Sequence, residues 1–185
     1  DHYHARAVLI ATGSTYRRTN APGEEDLIGA GIHFCATCDG PFYRGAQELM
    51  VIGGGNSGLE EGLFLTQVAD RVCIVEHSEQ LKGSRILQDK VMNHPGMEVL
   101  TNHAVQGFTA KDDGSGKLGS VLVHDRGTGE VTEHHPAGVF VFIGLDPNTT
   151  FLEGVVALDA AGFVTTDTSL MTSVEGVFAA GDVRA

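Results

Sequence analysis

Apolar residues fall along this chain in short runs of two kinds, and the switch between them lays out a fold. Leu49-Met50-Val51-Ile52, Val72 to Val75 and Val139 to Ile143 are unbroken, as in strands covered on both faces of a parallel sheet. Between the first two, Ser57 to Val68 has helical spacing, so Glu48 to Glu76 reads as a β-α-β unit. Ser84 to Asn93 reads as a second helix, closed by His94-Pro95-Gly96, and Met97 to Thr101 as a further strand. Val105 to Ala110, Leu118 to Asp125 and Val131 to His135 instead alternate apolar with polar. They are separated by Asp112-Asp113-Gly114 and Arg126-Gly127-Thr128-Gly129, the pattern of an antiparallel meander covering one face of the sheet.

The outer segments carry less pattern. Ala7 to Ile10 is a strand running into Ala11-Thr12-Gly13, and Val177 to Ala180 is another that delivers Gly181-Asp182 to its carboxyl end. Tyr16 to Gly31, with Pro22-Gly23-Glu24, and Asp146-Pro147-Asn148 are turn-rich and predict two hinges. The expected fold class is α/β, with a Rossmann-like dinucleotide-binding domain over 24–143, a parallel sheet plus a meander. Residues 1–23 and 144–185 are expected to be partial segments of a second domain with their hinges. A parallel strand so near the last residue, with no helix to return across its face, predicts a piece of a longer protein.

Composition narrows the function. The 185 residues carry 12 basic and 24 acidic side chains, a formal charge of -12, which argues against nucleic acid and anionic membrane surfaces as partners. There is no apolar run of about 18 residues, so a soluble, cytoplasmic protein is expected. Three cysteines do not make a secreted disulfide framework; they suit a reducing compartment with one working disulfide. Cys73, inside an apolar run, is expected to be a buried inert thiol. The nine histidines, such as His2, His4, His134 and His135, lack further ligands at matching spacing, and no metal site is expected.

Two motifs carry chemistry. Gly53-Gly54-Gly55-Asn56-Ser57-Gly58 follows a strand and opens a helix, and Glu76 ends the next strand, the context a dinucleotide loop requires. Gly53 permits the turn, Gly55 lets backbone approach a pyrophosphate, and Gly58 lets helix and strand pack closely. Ser57 is expected to cap the helix. A carboxylate at Glu76 accepts from a ribose 2'-hydroxyl and repels a 2'-phosphate, and His77, Ser78 and Glu79 bring no arginine, so NADH is expected over NADPH. Lys82 and Arg85 either swing toward a phosphate or remain solvated. Cys35-Ala36-Thr37-Cys38 can close a disulfide across one turn and exchange it, or be half of a zinc site whose other half is missing. Asp39 is either a proton carrier for the leaving thiol or a turn former before Gly40-Pro41.

With these motifs in hand, the chain resembles the low-molecular-weight thioredoxin reductases and the related flavoprotein subunit of alkyl hydroperoxide reductase. The resemblance rests on Ala11-Thr12-Gly13, on His33-Phe34-Cys35-Ala36-Thr37-Cys38-Asp39-Gly40-Pro41-Phe42, on Gly53 to Glu61 and on Gly176 to Asp182. It implies a nicotinamide domain inserted by two hinge strands into an FAD domain, and a homodimeric parent. It further implies that Cys38 faces the flavin, that Cys35 attacks the disulfide of a thioredoxin-like or peroxiredoxin-like protein, and that Asp39 manages the proton. Thr12, Gly13, Gly181 and Asp182 would lie along FAD. Where NADPH-specific members carry His-Arg-Arg, this chain has Glu76-His77-Ser78, which resembles the NADH-linked branch. A first glycine loop for FAD is absent from this sequence, so the isolated chain is expected to hold FAD poorly. The alternative is a module that binds NAD(H) and senses redox state without turnover.

Overall fold

The structure, a computed structural model, describes residues 2–185. In chain order it comprises β1 (Val8–Ile10), β2 (Ser14–Tyr16), α1 (Glu24–Leu27), β3 (Ile32–His33), α2 (Ala36–Asp39), β4 (Ala46–Ile52), α3 (Asn56–Leu65) and β5 (Ala69–Glu76). There follow α4 (Arg85–Met92), β6 (Met97–Thr101), β7 (His103–Ala110), β8 (Leu118–Asp125), β9 (Val131–His134), β10 (Gly138–Val141), β11 (Leu145–Pro147) and β12 (Val177–Ala179). The chain divides into two compact units, Arg18–Ile143 and the segments on either side of it.

The larger unit is built on a five-stranded parallel sheet in the order β3-β10-β4-β5-β6. The unbroken apolar runs are the strands covered on both faces, and the two-residue period of the side chains separates those faces. Met50, Ile52, Cys73, Val75, Val139 and Val141 point to one side, where Phe108, Leu118, Val121 and Val123 of the meander β7-β8-β9 close over them. Leu49, Val51, Val72, Ile74 and Phe140 point to the other, against Leu59 and Leu65 of α3 and Val91 of α4. Each such side chain taken wholly out of water contributes roughly 1.5–3 kcal/mol, so this three-layer sandwich is what fixes the loops at the sheet's carboxyl edge.

The turn-rich segment after Tyr16 is a connector only in its first residues. From Arg18 onward it packs on the meander: Leu27 is buried, Phe108 N–H donates to the Pro22 carbonyl, and the buried Glu24 carboxylate accepts from the amides of Thr19 and Asn20. Its polarity hid that role, since one leucine and one inward-facing glutamate do the anchoring.

In the smaller unit β1 and β12 pair in parallel, Val8 opposite Val177 and Ile10 opposite Ala179. Ile10, Leu152, Val156, Val164, Ala179 and Val183 form its core. The Asp146-Pro147-Asn148 turn region is partly strand: β11 pairs antiparallel with β2, Leu145 opposite Tyr16 and Pro147 opposite Ser14. The chain passes from one unit to the other directly beyond this ribbon, after Arg17 and before Gly144.

Candidate functional site

The dithiol sits where β3 leaves the sheet. Cys35 is the N-cap of α2, in extended backbone, and its sulfur accepts the Cys38 amide at 3.2 Å and lies 3.4 Å from the Thr37 hydroxyl. Cys35 and Cys38 are joined as a disulfide with their Cα atoms 5.3 Å apart. Bonded to one another, the sulfurs follow the exchange alternative and not the zinc half-site. Cys38 is exposed and Cys35 half-buried. The two donors at Cys35 stabilise a thiolate there once the bond opens, which is what a sulfur that attacks a disulfide needs.

Behind the disulfide lies a cluster that the sequence did not advertise. Asp39, the last residue of α2, places Oδ2 3.4 Å from His33 Nδ1, while His33 Nε2 meets the Tyr43 hydroxyl at 2.7 Å. Both rings pack on Phe140 of β10, with centroids 5.3 and 5.8 Å away. Gly138 makes room, since a Cβ there would stand 2.5 Å from the tyrosine ring. Burial pushes the imidazole below its ordinary value, against the pull of Asp39, and raises the tyrosine, so both are neutral near pH 7.

The glycine loop lies in the same unit, between β4 and α3. Gly53 has φ of 118° and Gly58 is held against the Gly53 carbonyl, so each must lack a side chain. Gly54 donates at 2.7 Å to Glu76 Oε2, and Ser78 donates at 2.8 Å to Glu76 Oε1. Burial lifts this carboxyl, yet the two amides and Lys82 outweigh that and hold it below the usual carboxylate range. Glu76, 6% exposed, therefore braces the loop as well as ending the strand. The Gly54 carbonyl accepts from Lys82 and Gly83, and Asn56 Oδ1 accepts from Ser84, which ties the segment after β5 to the loop.

Ser57 does not cap α3, as its position had suggested. The N-cap is Gly55, which has no side-chain cap bond, so the first-turn amides keep their donors free of side-chain partners. A Cβ at Gly55 would meet nothing within 4 Å. Unclaimed amides, an open approach and a carboxylate at the next strand end fit a dinucleotide pyrophosphate and ribose. His77 is exposed, and its carbonyl accepts from Arg126 at 2.9 Å.

In the smaller unit, Thr12 and Gly13 follow β1, and Gly181 and Asp182 follow β12. The parallel pairing of those strands brings both turns to one edge. Asn148 fixes the first turn, donating to the Thr12 carbonyl while the hydroxyls of Thr12 and Thr15 donate to its two oxygens, each at 2.9 Å. Gly181, with φ of 80°, and Asp182 are exposed at the second.

A family profile described as pyridine nucleotide-disulphide oxidoreductase matches residues 1–185. The chain belongs to this family. Thioredoxin reductase of Bacillus subtilis is 40% identical over 182 residues, 98% of this chain and 56% of that protein. Thioredoxin reductase of Peptoclostridium litorale is 39% identical over 98% of this chain and 58% of its own length. The crystal structure of T. acidophilum thioredoxin reductase superposes with a TM-score of 0.86 at 33% identity, covering 99% of this chain and 59% of that one. The chain thus spans little more than half the length of the relatives it matches.

Four residues were given no role of their own by the sequence reading: His33, Tyr43, Glu61 and Arg126. His33 and Tyr43 flank the dithiol closely enough in sequence to have been suspected. Glu61 of α3 faces the head of α2, where burial raises its carboxyl against a hydrogen bond from the Ala36 amide, and its Oε2 is buried with no partner. Arg126 reaches the loop after β5 from the β8-β9 turn, a contact that only the fold creates. Among the described residues no helix is long and apolar enough to cross a membrane.

Proposed function

We propose that this chain is the nicotinamide and dithiol part of a thioredoxin reductase-like flavoprotein, which reduces a protein disulfide through Cys35 and Cys38. The observation that carries it is the disulfide at the cap of α2, in the same unit as a braced glycine loop whose helix amides have no side-chain cap. A nicotinamide dinucleotide supplies the hydride when bound, and FAD of the longer protein passes the electron pair on. The roles proposed for the chain's own residues follow from there. The α3 amides and Gly55 seat the pyrophosphate, and Glu76 and His77 face the ribose.

In the reduced state the Cys35 thiolate, held by the Cys38 amide and Thr37, attacks one sulfur of the partner's disulfide. A Cys35–partner bond forms, the partner's own bond breaks, and the departing thiolate takes a proton. Cys38 then attacks Cys35, restoring the internal disulfide and releasing the second partner thiol, with Asp39 taking the Cys38 proton. Thr12, Gly13, Gly181 and Asp182 are assigned to FAD contacts. Phe42, 84% exposed in the turn that follows α2 four residues after Cys38, suits an apolar contact with a partner protein, thioredoxin-like or peroxiredoxin-like. The longer protein is proposed to be a cytoplasmic homodimer.

NADH is the proposed donor, because Glu76 ends β5 and no arginine follows it at positions 77–79. Arg126 is the counterweight. Fluorescence titration of the chain with both dinucleotides tests this: NADH is expected to bind at least about tenfold more tightly, and tighter NADPH overturns the assignment. Reduction of a thioredoxin-like protein's disulfide by the longer protein, abolished by Cys35→Ser and by Cys38→Ser, tests the rest. A Cys35→Ser protein that turns over normally refutes the relay.

A further inference from the structure

We propose that His33 is a positioning residue of the dithiol site, holding the Asp39 carboxylate in place through Nδ1 while Tyr43 fixes the ring through Nε2. The proposal rests on the reading above, in which Asp39 accepts the Cys38 proton. It starts from hydrogen-bond inventory. A carboxylate only accepts, so an attractive contact between Asp39 Oδ2 and His33 Nδ1 at 3.4 Å requires the hydrogen on Nδ1. A neutral ring with Nδ1–H has a lone pair on Nε2, and the Tyr43 hydroxyl, 2.7 Å away, donates to it. The chain of donors runs Tyr43 to His33 to Asp39 and ends on the residue next to Cys38.

The packing makes this arrangement stiff. The imidazole is wedged between Tyr43 and Phe140, at centroid distances of 5.5 and 5.3 Å, and its side chain is 10% exposed. Two titratable groups face it, Asp39 from α2 and Tyr43 from the 3-10 turn Gly40–Tyr43, and β10 opposes it with uncharged Phe140. Glu61 of α3 lies a step beyond, against Ala36, and Arg18 stands over the neighbouring Phe34 ring. A burial that fixes both ring nitrogens keeps the carboxylate in one orientation, and a carboxylate that loses its N–H donor is free to turn away.

Ring closure in the reduced chain isolates the step. The Cys35 thiolate attacks an aromatic disulfide dye, forming a Cys35–aryl disulfide and releasing one coloured thiolate. Cys38 then attacks the Cys35 sulfur, its proton passing to Asp39, the aryl disulfide breaks and a second coloured thiolate leaves. The two thiols are oxidised to the internal disulfide and the dye is reduced to two thiolates. The rate of the second release relative to the first, measured by stopped flow, is the readout.

Asp39→Asn is expected to slow the second release and leave the first unchanged. His33→Phe, which keeps a ring against Phe140, should slow the second release by about tenfold with the first unchanged, and His33→Asn, whose amide can present an N–H near the Nδ1 position, should restore most of the rate. Tyr43→Phe should slow it by less, and carries the test should His33→Phe fail to fold. A slowed second release in Asp39→Asn with native rates in His33→Phe overturns the role of His33 alone. A second release unchanged by Asp39→Asn overturns the assignment of Asp39 to the Cys38 proton, and this inference with it.

Discussion

Replacing Gly58 with alanine strains the glycine loop where helix and strand come nearest. An ideal Cβ at Gly58 falls 1.9 Å from the Gly53 carbonyl oxygen, short by about 1.5 Å of the 3.4 Å at which ordinary contact begins. Both sides of that clash are backbone, so no rotamer relieves it and α3 must move off the loop. Overpacking of this kind costs about 1–3 kcal/mol, and rigid partners put it near the upper end, while alanine's helix preference returns about 0.5–1 kcal/mol. A net loss of about 2 kcal/mol lowers the melting temperature by roughly 4–8 °C. The same displacement carries the α3 amides away from a pyrophosphate; one lost charge-assisted hydrogen bond weakens NADH by about tenfold or more. Gly55→Ala is the matched control. Its Cβ meets nothing within 4 Å and φ is -80°, so stability should stay within about 0.5 kcal/mol of native while the methyl obstructs the ligand. Thermal unfolding and NADH fluorescence titration on both variants decide the matter. A Gly58→Ala chain that melts and binds like native, or a Gly55→Ala chain that loses stability but not binding, refutes the argument.

Two further outcomes follow from the buried groups. Burial pushes the Cys73 thiol up to about 12, so iodoacetamide at about pH 8 should leave the native oxidised chain unlabelled and modify one thiol after unfolding; rapid native labelling contradicts the burial. Glu61 has a folded value raised by burial above its unfolded 4.5, so the stability it allows is present below that value and is lost as pH rises through the folded one. Glu61→Gln should accordingly be more stable than native by up to about 1 kcal/mol near pH 8, with the difference closing toward about pH 4, and a pH-independent difference in urea unfolding excludes the carboxyl as its cause.

What could be read from the chain beforehand divides along physical lines. The parallel strands were legible because a strand covered on both faces has to be apolar at every position, as Leu49 to Ile52 and Val72 to Val75 are. The glycine loop was legible because its steric demands fall on single residues at fixed spacing. Ser57 was misread because a serine inside the first helical turn looks like a cap in sequence; the difference lies in which residue precedes the first turn, and that is Gly55. The segment after Arg18 was misread because polarity resembles a linker until Glu24 finds two amides to bond. Tertiary pairing hid the rest. His33 stood in the motif next to the dithiol, yet nothing in the order of residues says that its two nitrogens face Asp39 and Tyr43. That depends on β3 and β10 being neighbours, which sets Phe140 under the ring. Arg126 makes the same point. The sequence reading weighed Glu76 against the residues that follow it, whereas the fold also brings in a cation from the turn between β8 and β9, whose guanidinium donates to the His77 carbonyl.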